Sequence, residues 1–217
     1  MHILIVHVHP EPQSFNAALT HTAVHTLEAL GHTVEVSDLY ALGFNPVAGR
    51  NDVTQAADPA FLHLQREQKA AFERGTTAPD IVAEQRKLTR AELVIFQFPV
   101  WWRSAPALLK GWFDRVLTVG YAYGAGRVYA TGGLSGRRAL LSVTFGSPTS
   151  PEEAREVLHQ MQDGVLAFVG FEVLPPFVVG GPRSLTVEER QAELERYRDT
   201  LAHLALGAPL ERSLALS

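Results

Sequence analysis

The sequence predicts a doubly wound α/β fold in which five parallel strands lie in the order 2-1-3-4-5. Two observations support this prediction. Short, β-prone apolar segments alternate with amphipathic helical segments along the 217-residue chain. In addition, residues 96–118, FQFPVWWRSAPALLKGWFDRVLT, carry the end of a buried strand into an aromatic loop and then into a helix. Open parallel sheets bind ligands at the carboxyl ends of their strands, so this loop is expected to border a site.

The first part of the chain holds one βαβ unit followed by an insertion. HILIVHVH (2–9) is predicted to be strand 1, and TVEVSDL (33–39) is predicted to be strand 2. The helix between them is expected to end at Gly31, and its inward-facing stripe is Phe15, Leu19, Ala23, Leu27 and Leu30. Residues 40–91 show no further strand, and their helical periodicity predicts an insertion that contains helices.

The middle of the chain contains the third strand and the aromatic loop. LVIFQF (93–98) is a short, continuous apolar run, which is typical of a strand buried on both faces. A helix is predicted after the loop, with Ser104 as its cap and Pro106 in its first turn. Residues 119–136 are rich in Gly and Tyr and lack periodicity, so they are expected to form a surface loop.

The last part of the chain supplies two strands and two helices. RALLSVTFG (138–146) is predicted to be strand 4, and a helix capped by Thr149 or Ser150 is expected to follow it. FEVLPPFVV (171–179) is predicted to be strand 5 at an edge, because prolines are tolerated there. Thr186 and Glu189 have the spacing of a capping box at the start of the final helix.

Length and composition exclude several classes of protein. One domain is expected over residues 1–207, with residues 208–217 forming a tail or a partner-contacting arm. The net charge of −4 gives no basic footprint for nucleic acid, and the absence of cysteine excludes disulfides and thiolate chemistry. We find neither a signal peptide nor an apolar run long enough for membrane insertion, so a cytoplasmic protein is expected.

Three loops are predicted to meet at the carboxyl edge of the sheet. The first, HPEPQSFN, ends at the amino end of a helix, where the N–H groups of Phe15, Asn16 and Ala17 and the hydroxyl of Ser14 could form an anion cradle. His9, at the end of the strand, could donate to a phosphate. The alternative is that Ser14 and Asn16 only cap the helix.

The other two loops suit the edge of a flat heteroaromatic ring. The second offers N–H groups beside Trp101 and Trp102, and the third, residues 144–147, is expected to bring a second helix amino end. A phosphate cradle with two ring-edge loops fits a flavin nucleotide, although the tryptophans could instead simply cover the core. No metal site is predicted, because His21 and His25 lack a third ligand and are explained by a solvated helix face.

Six segments follow one another over about residues 2–206, namely HPEPQSFN, SDLYALGFNP, PDIVAEQ, VIFQFPVWWRSAPALLKGWFDRV, AYG and GFEVLPP. Together they resemble the NAD(P)H:quinone oxidoreductase (DT-diaphorase-like) family of flavodoxin-like flavoproteins. The resemblance implies a homodimer with flavin near the subunit interface, and a ping-pong, two-electron reduction of a quinone-like acceptor by NADPH or NADH. The FNP loop and the 59–90 insertion resemble the members that use FAD more than the shorter ancillary proteins of potassium-efflux systems, which use FMN.

The resemblance assigns roles to particular residues. Those that match pyrophosphate-binding positions are His9, Ser14, Phe15, Asn16 and Ala18. Those that match the two loops along the isoalloxazine ring are Pro99, Val100, Trp101, Trp102, Arg103, Thr144, Phe145, Gly146 and Ser147. Arg190 and Leu194 match positions near the adenine, and Tyr123 matches a tyrosine of the substrate pocket. Tyr123 and Trp102 are therefore the candidate catalytic residues.

This chain also departs from the family. Arg103 stands where the family has an aromatic residue, and Trp101 stands where it has a polar one. The segment after Ser147 is shortened, so the family's Tyr and His charge relay is not assigned here. The alternatives to a quinone reductase are a flavin-binding regulatory subunit of a transport system and an azo- or nitro-reductase.

Overall fold

The computed structural model describes residues 1–205, which form a parallel six-stranded sheet with helices on both faces. The strands are β1 (His2–His7), β2 (Thr33–Asp38), β3 (Leu93–Pro99), β4 (Arg138–Phe145), β5 (Glu172–Val173) and β6 (Phe177–Gly180). The helices are α1 (Phe15–Ala29), α2 (Leu64–Arg74), α3 (Pro79–Arg90), α4 (Ala107–Val116), α5 (Pro151–Met161) and α6 (Val187–Ala205). The order β2-β1-β3-β4-β5 confirms the predicted 2-1-3-4-5 sheet. The predicted end of the domain at residue 207 and the tail 208–217 lie outside the described residues.

The fifth strand is split into two short strands. β5 pairs with β4 at Arg138 and Ala139, and β6 pairs with the same edge of β4 from Ser142 to Phe145. Pro175 and Pro176 lie between them and cannot donate to the ladder, because proline has no N–H. The edge position was therefore predicted correctly, whereas the single continuous strand was wrong.

Alternate residues of the strands fill two separate cores. On one face, α1 and α6 pack against Ile3, Ile5 and Ile95. On the other face, α3, α4 and α5 pack against residues such as Val6 and Phe96. Central strands that are apolar on both sides produce the continuous hydrophobic runs that the sequence displays.

Three local predictions are corrected by the structure. Leu30 is 42% exposed, because α1 ends at Ala29 and Leu30 turns away from the core. Ser104 does not cap α4, since its N–H and C=O groups pair with Trp101 and the helix begins after Pro106. The segment 119–136 is not simply a surface loop, because Ala122 and Leu134 within it are buried.

The insertion between β2 and β3 is held by a buried arginine on α4. The Arg115 Nε donates to Asp52 Oδ1 at 2.8 Å, and its Nη1 donates to Asp80 Oδ2 at 2.6 Å and to the Asn45 carbonyl at 2.8 Å. Arg115 and Asp52 are each only 1% exposed, so neither charge has water to solvate it. Each therefore depends on the other, and the ion pair fixes the insertion to the body of the fold.

Replacing Arg115 with methionine is expected to lower the free energy of unfolding by about 3 kcal/mol, because the Asp52 carboxylate loses its partner in a buried site. Urea denaturation measures this change. Lys110→Met, which removes an exposed i,i+4 pair with Asp114 on the same helix, is the control and is expected to cost under about 0.5 kcal/mol. Equal losses in the two variants would contradict an anchoring role for Arg115.

His7 is expected to make the stability of the fold depend on pH. Its side chain is buried in β1 and its Nδ1 lies 2.8 Å from Thr20 Oγ1. Burial lowers the pKa of His7 below its ordinary value of 6.5, against the opposing effect of Asp38. The unfolded chain therefore takes up a proton at a higher pH than the folded chain does. The contribution of neutral, buried His7 to the free energy of unfolding is therefore present above pH 6.5, the ordinary pKa that applies to the unfolded chain. It is lost as the pH falls below that value toward the lower pKa of the folded chain.

His7→Asn is expected to reduce the loss of stability between pH 7 and pH 5, because the variant lacks the imidazole group that takes up a proton on unfolding. Urea denaturation series at several pH values measure the slope for the wild type and the variant. His25→Asn, at an exposed position on α1, controls for the substitution and is expected to keep the wild-type slope. An unchanged slope in His7→Asn would show that other groups set the pH dependence.

Candidate functional site

A cleft of about 870 Å³ lies beyond the carboxyl ends of β1, β3 and β4. Its volume falls within the range of small-molecule and cofactor sites. The residues that line it are His9, Gln13, Ser14, Phe15, Asn16, Ala18, Pro99, Val100, Trp101, Thr144, Phe145, Gly146, Pro182, Arg183, Val187, Arg190, Gln191 and Leu194. The three loops predicted to meet at this edge of the sheet therefore all contribute to its walls.

One wall is the amino end of α1. The Ser14 hydroxyl accepts from the Ala17 N–H at 3.1 Å, and the Ser14 carbonyl accepts from the Ala18 N–H at 3.0 Å. The N–H groups of Phe15 and Asn16 lie in the first turn, where the helix supplies no carbonyl partner. No acidic side chain lies in that turn. Ser14 is thus a cap, as the alternative proposed, and the predicted anion cradle is reduced because the Ala17 N–H is already used.

His9 lines the cleft. Its Nδ1 lies 3.0 Å from the Glu11 nitrogen and 3.2 Å from the Glu11 carbonyl oxygen. We assign the shorter contact as a hydrogen bond donated by the Glu11 N–H, which places the ring proton on Nε2. The His9 ring packs beside Trp101, with ring centroids 6.4 Å apart. The imidazole orientation is therefore fixed by its own loop and by the aromatic loop opposite.

A buried polar network forms the floor of the cleft. Asn16 Nδ2 donates to Thr144 Oγ1 at 2.9 Å, and Gln97 Nε2 donates to Asn16 Oδ1 at 2.9 Å. All three side chains are at least 96% buried. The sequence predicted that Asn16 would act through its backbone N–H or as a cap, and it did not predict that its side chain joins α1 to β3 and β4.

Asn16→Ala is expected to destabilise the protein by about 2 kcal/mol, because it leaves the Gln97 amide and the Thr144 hydroxyl without their partner. Asn45→Ala is the matched control, since Asn45 is exposed and its side chain accepts from the nearby Val47 N–H. Urea denaturation measures both variants. A similar small cost for the two would mean that water or a rearrangement satisfies the network.

The aromatic loop forms a tight turn with unusual backbone angles. The N–H and C=O groups of Trp101 and Ser104 bond reciprocally at 3.0 Å, and Trp102 and Arg103 lie between them with φ values of 51° and 54°. The Trp101 N–H is thus used within the turn, and the Val100 N–H donates to the Thr144 carbonyl. The prediction that N–H groups beside Trp101 serve a ring edge is therefore wrong for these two residues.

The three aromatic-loop residues have different positions. Trp101 lines the cleft and is 42% exposed, whereas the Trp102 side chain is fully exposed and stands outside the cleft wall. Arg103 also lies outside the wall, because its guanidinium group pairs with Glu153 and Glu156 on α5. The predicted placement of Trp102 and Arg103 against a ring is therefore not seen in a single chain.

The third loop contributes less than predicted. Thr144, Phe145 and Gly146 line the cleft, but Ser147 does not. Ser150 caps α5 by accepting from the Glu153 N–H at 3.2 Å, and neither residue reaches the cleft lining. The expected second helix amino end is consequently not a wall of this site.

The fourth wall was only partly predicted. Arg190 and Leu194 line the cleft as expected, and they are joined by Pro182, Arg183, Val187 and Gln191, with Gln13 from the first loop. Val187, Arg190, Gln191 and Leu194 have the i, i+3, i+4, i+7 spacing of one helix face. This spacing could have identified the two additional positions on α6.

Comparisons with known proteins agree with this architecture. Over residues 1–202 the chain matches the family described as having a flavodoxin-like fold. Ribosyldihydronicotinamide dehydrogenase (quinone) of Pongo abelii is 42% identical over 207 residues, which are 92% of this chain and 90% of that protein. NAD(P)H dehydrogenase (quinone) 1 of Rattus norvegicus is 40% identical over 95% of this chain and 78% of that protein. The chain belongs to the NAD(P)H:quinone oxidoreductase family.

A solved structure and a shorter relative extend the comparison. A Klebsiella pneumoniae protein described as a candidate quinone reductase superposes with a TM-score of 0.91 and 37% identity, covering 100% of this chain and 93% of that chain. The potassium-efflux ancillary protein KefF of Klebsiella aerogenes is 37% identical over 127 residues, which are 56% of this chain and 70% of that protein. Membership of the quinone oxidoreductase family confirms the resemblance seen in the sequence.

One family-derived site residue, Tyr123, lies away from the cleft. Its hydroxyl accepts from Gln65 Nε2 at 3.2 Å, and its ring packs on Phe168 with centroids 5.6 Å apart. It lines a separate depression of about 370 Å³ with Phe113 and Leu117. Within one chain, the residue assigned to the substrate pocket is therefore not part of the cleft.

The cleft has donor groups and an apolar surface that suit a flavin nucleotide. The available N–H groups at the start of α1 and the His9 Nε2–H suit phosphate oxygens, and the Trp101 ring offers an apolar surface for a flat ring. Within residues 1–205, no group of three or more His, Cys, Asp or Glu side chains is arranged to hold a metal ion. The same part of the chain contains no helix with the length and hydropathy of a membrane span.

Proposed function

We propose that this protein is a flavin-dependent NAD(P)H:quinone oxidoreductase. The net reaction converts NAD(P)H, a proton and a quinone into NAD(P)⁺ and a hydroquinone. The observation that carries the proposal is the joining of a helix amino end and an aromatic wall within one cleft of about 870 Å³. A phosphate-bearing planar cofactor requires both features at once.

Particular residues would bind the cofactor. The backbone at Phe15 and Asn16, the Ser14 hydroxyl proton and the His9 Nε2–H would donate to phosphate oxygens. Pro99, Val100 and Trp101 would flank the ring on one side, and the Thr144–Gly146 segment would flank it on the other. A bound flavin supplies the two-electron acceptor and donor that no side chain of this chain offers.

The extent of the cleft favours FAD over FMN. Beyond the amino end of α1, the cleft continues to Arg190 and Leu194 on α6. The Arg190 Nη1 donates to the Leu185 carbonyl at 2.7 Å, which fixes the guanidinium group at the border of this extension. We propose that the extension accommodates the adenosine half of FAD.

The positions of Tyr123 and Trp102 lead us to propose a homodimer. Tyr123 lines a depression outside the cleft of its own chain, and the Trp102 side chain is fully exposed. A second copy that places its depression against the mouth of the cleft would give both residues a role beside the quinone.

We further propose that the enzyme is one domain over residues 1–207 and works in the cytoplasm.

The first experiment is to record the visible spectrum of the purified protein and to identify the released flavin by chromatography. We expect FAD, bleaching on anaerobic addition of NADH or NADPH, and recovery of the oxidised spectrum on adding a quinone.

His9→Phe keeps a ring beside Trp101 but removes the Nε2–H, so the dissociation constant of FAD should rise about tenfold or more. His25→Phe, which changes an exposed histidine of α1, should bind FAD as the wild type does.

Two results would reject the proposed function. A purified protein that binds neither FAD nor FMN would exclude a flavin enzyme. A flavoprotein that neither nicotinamide can reduce would exclude the first half of the reaction.

A regulatory subunit of a transport system is the second candidate, and the partial similarity to KefF favours it. Bound flavin with turnover far below about 1 s⁻¹, which is the lower end of typical enzymes, would support that candidate instead.

Azo and nitro compounds would be reduced by the same chemistry, so comparing kcat/KM for quinone, azo and nitro acceptors identifies the preferred acceptor class.

A further inference from the structure

The tip of the aromatic loop has an intrinsically unfavourable conformation. Trp102 and Arg103 occupy the two central positions of a turn closed by the Trp101 and Ser104 backbone pair, and both have left-handed φ values of 51° and 54°. Glycine, asparagine and aspartate dominate such turns, because a larger side chain crowds the backbone in this region. Two large residues at these positions need other interactions to keep the tip in place.

Arg103 supplies those interactions. Its Nη1 lies 3.0 Å from Glu153 Oε1, and its Nη2 lies 3.3 Å from Glu156 Oε2. The two glutamates are three residues apart on α5, so their carboxylates stand on one face of the helix and receive the two ends of the guanidinium group. We call this set of three side chains the Arg103 latch.

The latch also joins two loops of the cleft. Glu153 Oε2 accepts from Thr149 Oγ1 at 3.2 Å, and Thr149 follows the Thr144–Gly146 segment that lines the cleft. Glu153 therefore contacts the aromatic loop through Arg103 and the third loop through Thr149. The Glu153 carboxylate therefore links the aromatic loop to the third loop of the cleft.

Little else holds the tip of the turn. Within residues 1–205, the Arg103 side chain makes no polar contact other than the two with α5, and the Trp102 side chain is 100% exposed. The side chains of Arg103, Glu153 and Glu156 are 57%, 43% and 77% exposed, so water and salt reach the latch. Exposed pairs of this kind contribute little to overall stability, and their loss leaves a folded protein.

We propose that Arg103 is a positioning residue. It sets where the exposed Trp102 side chain stands next to the cleft-lining Trp101, and thereby how readily the acceptor binds. This inference rests on the proposed function for its kinetic consequence. The latch acts on the turn and not on the floor of the cleft, because the floor is held by the separate Asn16 network. Breaking the latch should therefore change acceptor binding much more than flavin affinity.

The kinetic test uses Arg103→Ala and the double variant Glu153→Gln/Glu156→Gln, which removes both carboxylate charges with little change in shape. At low salt, each is expected to raise the KM for a quinone about threefold to fivefold, with kcat within about twofold and an unchanged FAD dissociation constant. Arg103→Lys, which keeps the charge but not the bidentate fork, should give an intermediate KM. Arg155→Ala removes an exposed arginine from the same helix that pairs with no carboxylate within residues 1–205, and it should match the wild type.

Ionic strength separates the latch from a general loss of structure. Added salt screens exposed ion pairs, so the wild-type KM for the quinone should rise toward that of Arg103→Ala between about 0.01 M and 1 M salt. The KM of Arg103→Ala should change little over that range. The thermal midpoints of all variants should stay within about 2 °C of the wild type.

A second readout requires no turnover. The chain has three tryptophans, so protein labelled with 5-fluorotryptophan should give three ¹⁹F resonances, with the Trp102 resonance assigned from Trp102→Phe. In the wild type this resonance should be narrow, and in Arg103→Ala and in Glu153→Gln/Glu156→Gln it should shift or broaden. The resonance of the buried Trp112 should stay in place in these variants.

These measurements test separately whether Arg103 positions Trp102 and whether the position of Trp102 affects acceptor binding. Wild-type KM values together with an unchanged Trp102 resonance in Arg103→Ala would overturn the latch. An altered resonance with an unchanged KM would overturn the effect on the acceptor. If the wild type does not reduce quinones, the proposed function fails, and the resonance alone still decides whether Arg103 positions Trp102.

Discussion

The site depends on one buried amide. The Asn16 side chain lies where α1 begins, and its nitrogen and oxygen bond to Thr144 on β4 and Gln97 on β3. Water cannot reach these groups, so each would lose a necessary partner if the helix moved relative to the strands. The amide therefore fixes the amino end of α1, with its N–H groups at Phe15 and Asn16, against the strands that carry the other two loops.

This requirement explains which parts of the site were predictable from the sequence. The strand order and the meeting of the three loops follow from apolar runs and from the rules for parallel crossovers, which depend on local patterns. The partners of Asn16 lie 81 and 128 residues away along the chain, and no local pattern indicates such pairs. The same holds for Arg115, whose partners Asp52 and Asp80 are 63 and 35 residues distant.

The errors at the aromatic loop have a different physical cause. Sequence rules place glycine or asparagine in left-handed turns, so Trp102 and Arg103 gave no signal for a closed two-residue turn. Once that turn forms, the Trp101 N–H is used within it and the Arg103 side chain reaches α5. The amino end of α5, which was expected to face a ligand, instead lies outside the cleft lining and bears carboxylates that hold the arginine. Because the turn was not predicted, the assignments of the Trp101 N–H, the Arg103 side chain and the amino end of α5 were wrong as well.

The cleft thus combines two kinds of support with different strengths. Its floor consists of central strands and buried, fully enclosed hydrogen bonds, which open only with much of the fold. Its mouth is bordered by a turn that depends on exposed ion pairs, which are weak and screened by salt. A rigid floor suits a cofactor that stays bound, because binding then requires no reordering of the site. A loosely held mouth suits substrates that enter and leave at each turnover. Arg103, which the sequence analysis identified as a departure from the family pattern, lies in this loosely held part of the site.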